Sequence, residues 1–401
     1  MMKILILGAG QAAVSMAAKL RGLGHNGQIT IIGDEAAAPY QRPPLSKAYL
    51  LGQMPQERLM LRGPDWWAEQ DIELLTGTTA QHIDTASKTV MTTAGPVAYD
   101  QLALTLGATP RQLPDEIGGA LGGVHTIRNL ADIARLQPEL TPERRMVVIG
   151  GGYIGLEAAA VARKLGLEVT LIEAAPRILG RVASPETAAA IRELHLAHGV
   201  EILESTAISR LEGEGRVQAV SLADGQQIAA EIVVVGIGVS PETALAEAAG
   251  LAIDNGIACN SQGRTSDPAI WSAGDCASFP WQDQRIRLES VGNAIDMAEC
   301  VAANILGAGQ DYAPKPWFWS DQYDAKLQIA GLNGGYDQIV TRHGESPHSA
   351  SFWYYRQGRL IAIDALNDAR AYMVGKRLIE AGKTASPERV TDPATALKDL
   401  L

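Results

Sequence analysis

With 401 residues, 46% of them apolar, and 41 glycines, the chain is long enough to bury two or three separate cores. A net charge of -11 argues against nucleic acid as the partner, and no apolar run is long enough to span a membrane as a helix. Three cysteines (Cys259, Cys276, Cys300) lie far apart without a C-x-x-C pair, which excludes a dithiol relay, a zinc site and a disulfide framework, so no metal is expected.

Met1-Met2-Lys3 runs straight into apolar sequence without the layout of a signal peptide, which predicts a cytoplasmic protein. Ile4-Leu5-Ile6-Leu7 reads as a buried strand, and Gly8-Ala9-Gly10 as a turn too tight for side chains, from which a helix over 12–20 starts. The unpaired N–H groups and positive dipole end of that helix form an anion site, so a pyrophosphate is expected against the backbone from Gly10 through Ala12 to Ala13. Ala13 stands where the dinucleotide fingerprint has its third glycine, a replacement that the fingerprint tolerates. A second strand within 27–33 ends in Asp34-Glu35, at the distance where a carboxylate accepts hydrogen bonds from an adenosine ribose.

In Pro39-Tyr40-Gln41-Arg42-Pro43-Pro44-Leu45-Ser46-Lys47, two prolines stiffen the loop that presents Arg42 and Lys47, and Ser46 is expected to cap a following helix. Trp66-Trp67 reads as a core helix or an interface. Residues 72–97 read as short strands with polar turns, and 99–107 as a further strand.

From Met146 the opening pattern repeats. Gly150-Gly151-Gly152-Tyr153-Ile154-Gly155 is a full G-x-G-x-x-G between a strand and a helix, followed by a strand over 168–172 that ends in Glu173. Two such units imply two dinucleotides. Glu173 is expected on the ribose hydroxyls of the second, where its charge repels a 2′-phosphate and selects NADH over NADPH, although Arg177 and Arg181 follow closely and blur the case. Glu157, one turn into the helix, reads either as a partner of the helix dipole or as a functional acid. His195 and His198 read as helix surface, and the cysteines as buried small residues. Residues 229–238 read as a buried strand. A strand over 270–275 ends in Gly274-Asp275, with Asp275 placed to bind a sugar-like hydroxyl chain, and the start of a helix over 293–306, near Val291, faces the polar end of a flavin ring.

The two nucleotide units, the Arg42-Pro43-Pro44-Leu45-Ser46-Lys47 loop, the Gly150 to Glu157 run, Ser272-Ala273-Gly274-Asp275-Cys276-Ala277 and Pro316-Trp317-Phe318-Trp319-Ser320-Asp321-Gln322 together resemble the NADH-dependent ferredoxin reductases. These are the FAD enzymes that serve bacterial P450 and Rieske ring-hydroxylating oxygenases. The resemblance implies an α/β, glutathione-reductase-like fold with two Rossmann-type domains and an α+β C-terminal domain. Its parts are an FAD domain over 1–110 and 235–314, an NAD domain over 111–234 and a C-terminal domain over 315–401.

It further implies that Gly8, Gly10, Ala12, Ala13, Asp34 and Glu35 hold the FAD pyrophosphate and ribose, and that Arg42, Lys47, Ala80, Arg128, Asp275, Val291 and Trp319 contact the rest of that cofactor. Gly150, Gly152, Ile154, Gly155, Glu173, Gly236 and Ile237 line the NADH channel. Lys47 and Glu157 match the family's ion pair beside the flavin N5, where hydride arrives from the nicotinamide. Electrons then leave singly to a [2Fe–2S] ferredoxin docked near Trp317, Phe318 and Trp319, with Arg42, Arg285, Arg287, Lys315 and Lys326 as candidates for a basic face. A monomer or weak homodimer is expected. Alternatives are a rubredoxin reductase and an NADH-responsive interaction protein; the peroxide-reducing relatives place a cysteine in the loop over 39–47, where this chain has none.

Overall fold

The computed structural model describes residues 1–346 and 348–401, which form two compact units. The first comprises Met1–Gln41, Gln56–Thr109 and Val239–Pro316. Its centre is a parallel sheet in the order Ile270–Ser272, Gln101–Leu104, Ile4–Leu7, Ile29–Ile32, Ile72–Leu75. A parallel sheet is covered on both faces, so its strands are apolar without alternation; Ile4, Leu5, Ile6 and Leu7 are all at most 1% exposed, each contributing about 2 kcal/mol relative to exposure. Helices Gln11–Gly22 and Val291–Ile305 pack on each other and against one core cluster. An antiparallel sheet of Ala80–Asp84, Thr89–Thr92 and Gly95–Ala98 stands beside the other cluster.

The second unit comprises Arg42–Pro55, Pro110–Gly238 and Trp317–Leu401. Here too a parallel sheet, in the order Glu201–Leu203, Glu168–Ile172, Arg145–Ile149, Ile232–Val235, Val124–His125, carries a glycine turn and a helix, Tyr153–Lys164. The same unit holds an antiparallel sheet in the order Trp317–Gln322, Ala325–Gly331, Arg359–Leu366, Ala350–Arg356, Gln338–His343, with helix Ala369–Glu380 packed against it. Strand Trp317–Gln322 meets helix Tyr153–Lys164, which places the C-terminal sheet against the second glycine turn.

Candidate active site

In the first unit the strand Ile4–Leu7 delivers the chain to Gly8 at φ +95°, where a Cβ would lie 2.3 Å from the Thr105 carbonyl oxygen, so only glycine fits. The Thr105 hydroxyl reaches the carbonyls of Leu7 and Gly8 at 2.9 and 3.0 Å and locks the turn. Gly10 begins helix Gln11–Gly22 with no side chain over its first N–H groups and no acid in its first turn. An anion therefore meets no competitor there, and the residues fit a pyrophosphate. Ala12 and Ala13 are buried under this first turn.

A Cβ on Gly274 would lie 3.2 Å from that of Ala12, which brings Asp275 to the same helix start. Glu35 accepts a hydrogen bond from the Tyr40 hydroxyl at 2.5 Å, whereas Asp34, just beyond strand Ile29–Ile32, is exposed. Half-buried Ala80 opens strand Ala80–Asp84. Val291 is the first residue of its helix, whose Ser290 cap accepts from the Asn293 N–H at 3.1 Å.

The second turn demands glycine at its third position as well as its first. A Cβ on Gly150, at φ +107°, would lie 2.4 Å from the Gly236 carbonyl oxygen, and one on Gly155 2.1 Å from that of Gly150. Gly152 caps the helix without a side chain, again leaving an open anion site. The Glu173 carboxylate accepts from the N–H of Gly151 and of Ala175, both at 2.7 Å, so its position beside the turn is set by the backbone. Arg177 is turned away onto the carbonyls of Gly180, Ala183 and Ser184. Ile154 presents an exposed apolar side chain from the first helical turn, and Ile237 is half-buried.

Glu157 occupies the same helix but is 1% exposed. Its Oε2 accepts from Lys47 Nζ at 2.7 Å and from the Ser46 hydroxyl at 2.5 Å, and its Oε1 from the Ser320 hydroxyl at 2.6 Å. Burial pushes the Glu157 carboxyl above the usual carboxylate range, while the Lys47 charge and the three donors pull it back. Glu157 is thus held by Lys47 and two serines, not by its own helix's N-terminus. The single turn Pro43–Ser46 presents the lysine, and Arg42 donates to the Arg128 carbonyl at 2.8 Å.

On the strand Trp317–Gln322, side chains alternate. The Trp317 and Trp319 rings stack at 5.4 Å and, with Lys326, Gln328 and Tyr372, line a groove of about 260 Å³. The other face carries Phe318, 4.8 Å from the Tyr153 ring, then Ser320 and Gln322. Lys376 lies 5.6 Å above the Trp317 ring.

Several expectations need correction. Ser46 does not cap a helix: it ends the short Pro43–Ser46 turn, and its hydroxyl goes to Glu157, because a buried carboxylate attracts every donor within reach. His195 is 0% exposed, its Nε2 2.7 Å from Gln322 Oε1, because the C-terminal sheet covers its helix face; His198 is exposed as expected. Cys259 and Cys276 are buried, but Cys300 is only half-buried. Arg285 and Arg287 are committed to the carbonyls of Cys259, Ser278 and Asp275, which removes them from a free basic face. Thr105, Ser46, Ser320, Gln322 and Lys376 were missed as site residues; a polar residue recurring at alternate positions of an aromatic strand was the signal for Ser320 and Gln322.

Comparison with known proteins agrees with this geometry. The pyridine nucleotide-disulphide oxidoreductase family model matches residues 2–298, and the reductase C-terminal model matches 317–401. A ferredoxin–NAD(P)(+) reductase of a Sphingomonas species is 42% identical over 404 residues, covering 99% of this chain and 97% of the relative. Putidaredoxin reductase of Pseudomonas putida is 39% identical, covering 99% and 96%. The crystal structure of a covalent putidaredoxin reductase–putidaredoxin complex superposes with a TM-score of 0.95 at 39% identity, covering 100% of this chain and 98% of that one.

Proposed function

This chain belongs to the pyridine nucleotide-disulphide oxidoreductase family, and from that premise we propose that it draws hydride from NADH and passes the electrons singly to a [2Fe–2S] ferredoxin supplying a P450 or Rieske oxygenase. It is an FAD-dependent oxidoreductase with a glutathione-reductase-like fold. Bound FAD supplies the hydride acceptor and the one-electron donor.

The observation that carries the reading is the Lys47–Glu157 pair. Burying an ion pair gains little stability over an apolar contact of the same size, so a carboxylate 1% exposed and holding a lysine at 2.7 Å answers a chemical need. That need is a positive charge fixed where reduction deposits negative charge. In this reading Gly8, Gly10, Ala12, Ala13 and Asp34 hold the FAD pyrophosphate and ribose. Arg42, Ala80, Arg128, Asp275, Val291 and Trp319 contact the remainder, and Glu35, which accepts from the Tyr40 hydroxyl, stands next to Asp34 at the ribose. Gly150, Gly152, Ile154, Gly155, Gly236 and Ile237 receive NADH, whose ribose hydroxyls Glu173 accepts. The fixed charge of Glu173, with Arg177 committed elsewhere, favours NADH over NADPH.

The domains run over 1–110 with 235–314, 111–234 and 315–401. The acceptor is an acidic ferredoxin that meets the Trp317–Trp319 groove, where Lys326 and Lys376 supply positive charge. We place the protein in the cytoplasm as a monomer or weak homodimer; among the described residues no helix is long and apolar enough to cross a membrane.

The test is anaerobic mixing of the FAD-loaded chain with NADH or NADPH, followed by a [2Fe–2S] ferredoxin, while flavin and iron–sulfur absorbance are recorded. Bleaching by NADH at least about tenfold faster than by NADPH, then ferredoxin reduction over many turnovers that weakens as salt rises, is the expected result. A long-lived reduced flavin that no ferredoxin discharges overturns the reading in favour of an interaction or sensor protein, and discharge by rubredoxin alone moves it to that carrier.

A further inference from the structure

Behind Glu157 lies a line of polar side chains that hydride transfer does not itself require. Ser320 Oγ is 2.6 Å from Glu157 Oε1, Gln322 Nε2 is 3.0 Å from Ser320 Oγ, His195 Nε2 is 2.7 Å from Gln322 Oε1, and the Tyr323 hydroxyl is 3.4 Å from His195 Nδ1. Glu157, Ser320, Gln322 and His195 are all buried; Tyr323, stacked on exposed His198 at 3.6 Å, brings the line to the surface.

The direction of every bond follows from its charged end. An ionised Glu157 only accepts, so the Ser320 hydroxyl donates to it. That hydroxyl has one proton, so its lone pair accepts from Gln322, which turns the amide nitrogen toward Ser320 and the amide oxygen toward His195. The oxygen only accepts, so His195 carries its proton on Nε2. Burial keeps the imidazole neutral, which leaves Nδ1 bare to accept from the Tyr323 hydroxyl. Four donors thus point the same way, and bonds aligned head to tail polarise one another.

Resting on the reading of the Lys47–Glu157 pair given above, we infer that Tyr323, His195, Gln322 and Ser320 form a one-way hydrogen-bond chain that holds Glu157 charged and oriented, and through it the Lys47 ammonium. They are positioning residues for hydride transfer. Without the Ser320 donor, Glu157 keeps only Ser46 and Lys47, both on Oε2. The balance then shifts toward the neutral pair, in which one proton leaves Lys47 Nζ for Glu157 and the positive charge is lost. Strand Trp317–Gln322 accordingly serves two tasks on its two faces: stacked tryptophans outward, donors to Glu157 inward.

The chain's direction is read from the full FAD-loaded protein labelled with 15N-histidine, without any substitution: His195 is expected with a protonated Nε2 and a bare Nδ1, and the opposite tautomer overturns the proposal. Its function is read from the rate of flavin bleaching by NADH. Ser320→Ala is expected to slow bleaching about tenfold, the loss of one hydrogen bond to a charged group, while Ser320→Thr, which keeps the hydroxyl, stays within about twofold of the unsubstituted protein. Ser320→Cys, a weaker donor of similar shape, falls between and replaces Ser320→Ala if that variant does not fold. Equal rates for all four proteins overturn the proposal. If NADH fails to bleach even the unsubstituted protein, the reductase reading falls, and the His195 tautomer still decides the direction of the chain.

Discussion

The two units share a parallel sheet, a glycine turn and a helix, yet they differ in what they bury. Among the described residues, every buried aspartate, glutamate and histidine, namely His125, Asp132, Glu157, His195 and Asp364, lies in the second unit; the buried polar side chains of the first are serine, threonine and asparagine. The contrast is sharpest at matching places in the two helices. Seven residues beyond the first glycine of each turn stands Ser15 in the first unit, its Oγ accepting from Gln11 Nε2 at 3.1 Å, and Glu157 in the second, holding Lys47. A glycine turn on a helix start needs only backbone to bind a pyrophosphate. A buried charge stands at the side-chain position behind the second turn, where burial makes it strong and also makes it depend on its partners.

The comparison breaks most visibly at the third position of the fingerprint. Gly155→Ala forces a Cβ to 2.1 Å from the Gly150 carbonyl, a backbone atom that cannot give, so a loss of more than about 3 kcal/mol in urea unfolding is expected. Ala13→Gly, the matching change in the first unit, is expected to lower stability by only about 1 kcal/mol, the helix propensity difference. Equal losses mean that the two turns are equally tight after all.

Buried charge predicts the next effect. Burial raises the Asp364 carboxyl to about 6, and Tyr354 and Thr187 donate to it. Burial lowers the His195 imidazole to about 4, among Gln322, His198 and Tyr323. Asp364 stabilises the fold while protonated, a contribution present in acid and lost as pH rises through about 6. His195 stabilises it while neutral, a contribution present above its ordinary value of 6.5 and lost as pH falls toward about 4. The slopes oppose each other in this window. Asp364→Asn should therefore leave stability falling toward acid and His195→Gln should leave it rising, each swing about 3 kcal/mol by urea midpoints between pH 6.5 and 4. Parallel profiles for the two variants remove buried charge as the difference between the units.

The smallest effect separates the two terminal acids. Glu173→Gln keeps the shape but removes the charge proposed to face a 2′-phosphate, so the rate with NADPH should rise about tenfold relative to NADH in single-turnover mixing. Asp34→Asn should leave that ratio unchanged and instead weaken FAD retention, read as flavin released on dilution. A shift in the nicotinamide ratio from Asp34→Asn reverses the assignment of the two turns.

Much of this was legible in the amino-acid order. Apolar runs and the two glycine turns depend on contacts between near neighbours in sequence: a strand period, a φ that only glycine adopts, a helix start. The Arg42–Lys47 loop was recognisable as a segment, but not what Ser46 does there. Ser46 reaches Glu157 across 111 positions, Ser320 reaches it across 163, and His195 reaches Gln322 across 127. Lys376 joins the tryptophan pair only because its helix packs on the C-terminal sheet.

By itself the sequence determined two dinucleotide-binding turns and the order of their strands and helices, since sterics and periodicity act over a few residues. The Lys47–Glu157 pair was named from the motifs, but how deeply its acid is buried, which serines serve it and which way the hydrogen bonds run toward it were decided only in the tertiary structure. A side chain's charge state is set by desolvation and by donors that the fold brings from distant parts of the chain.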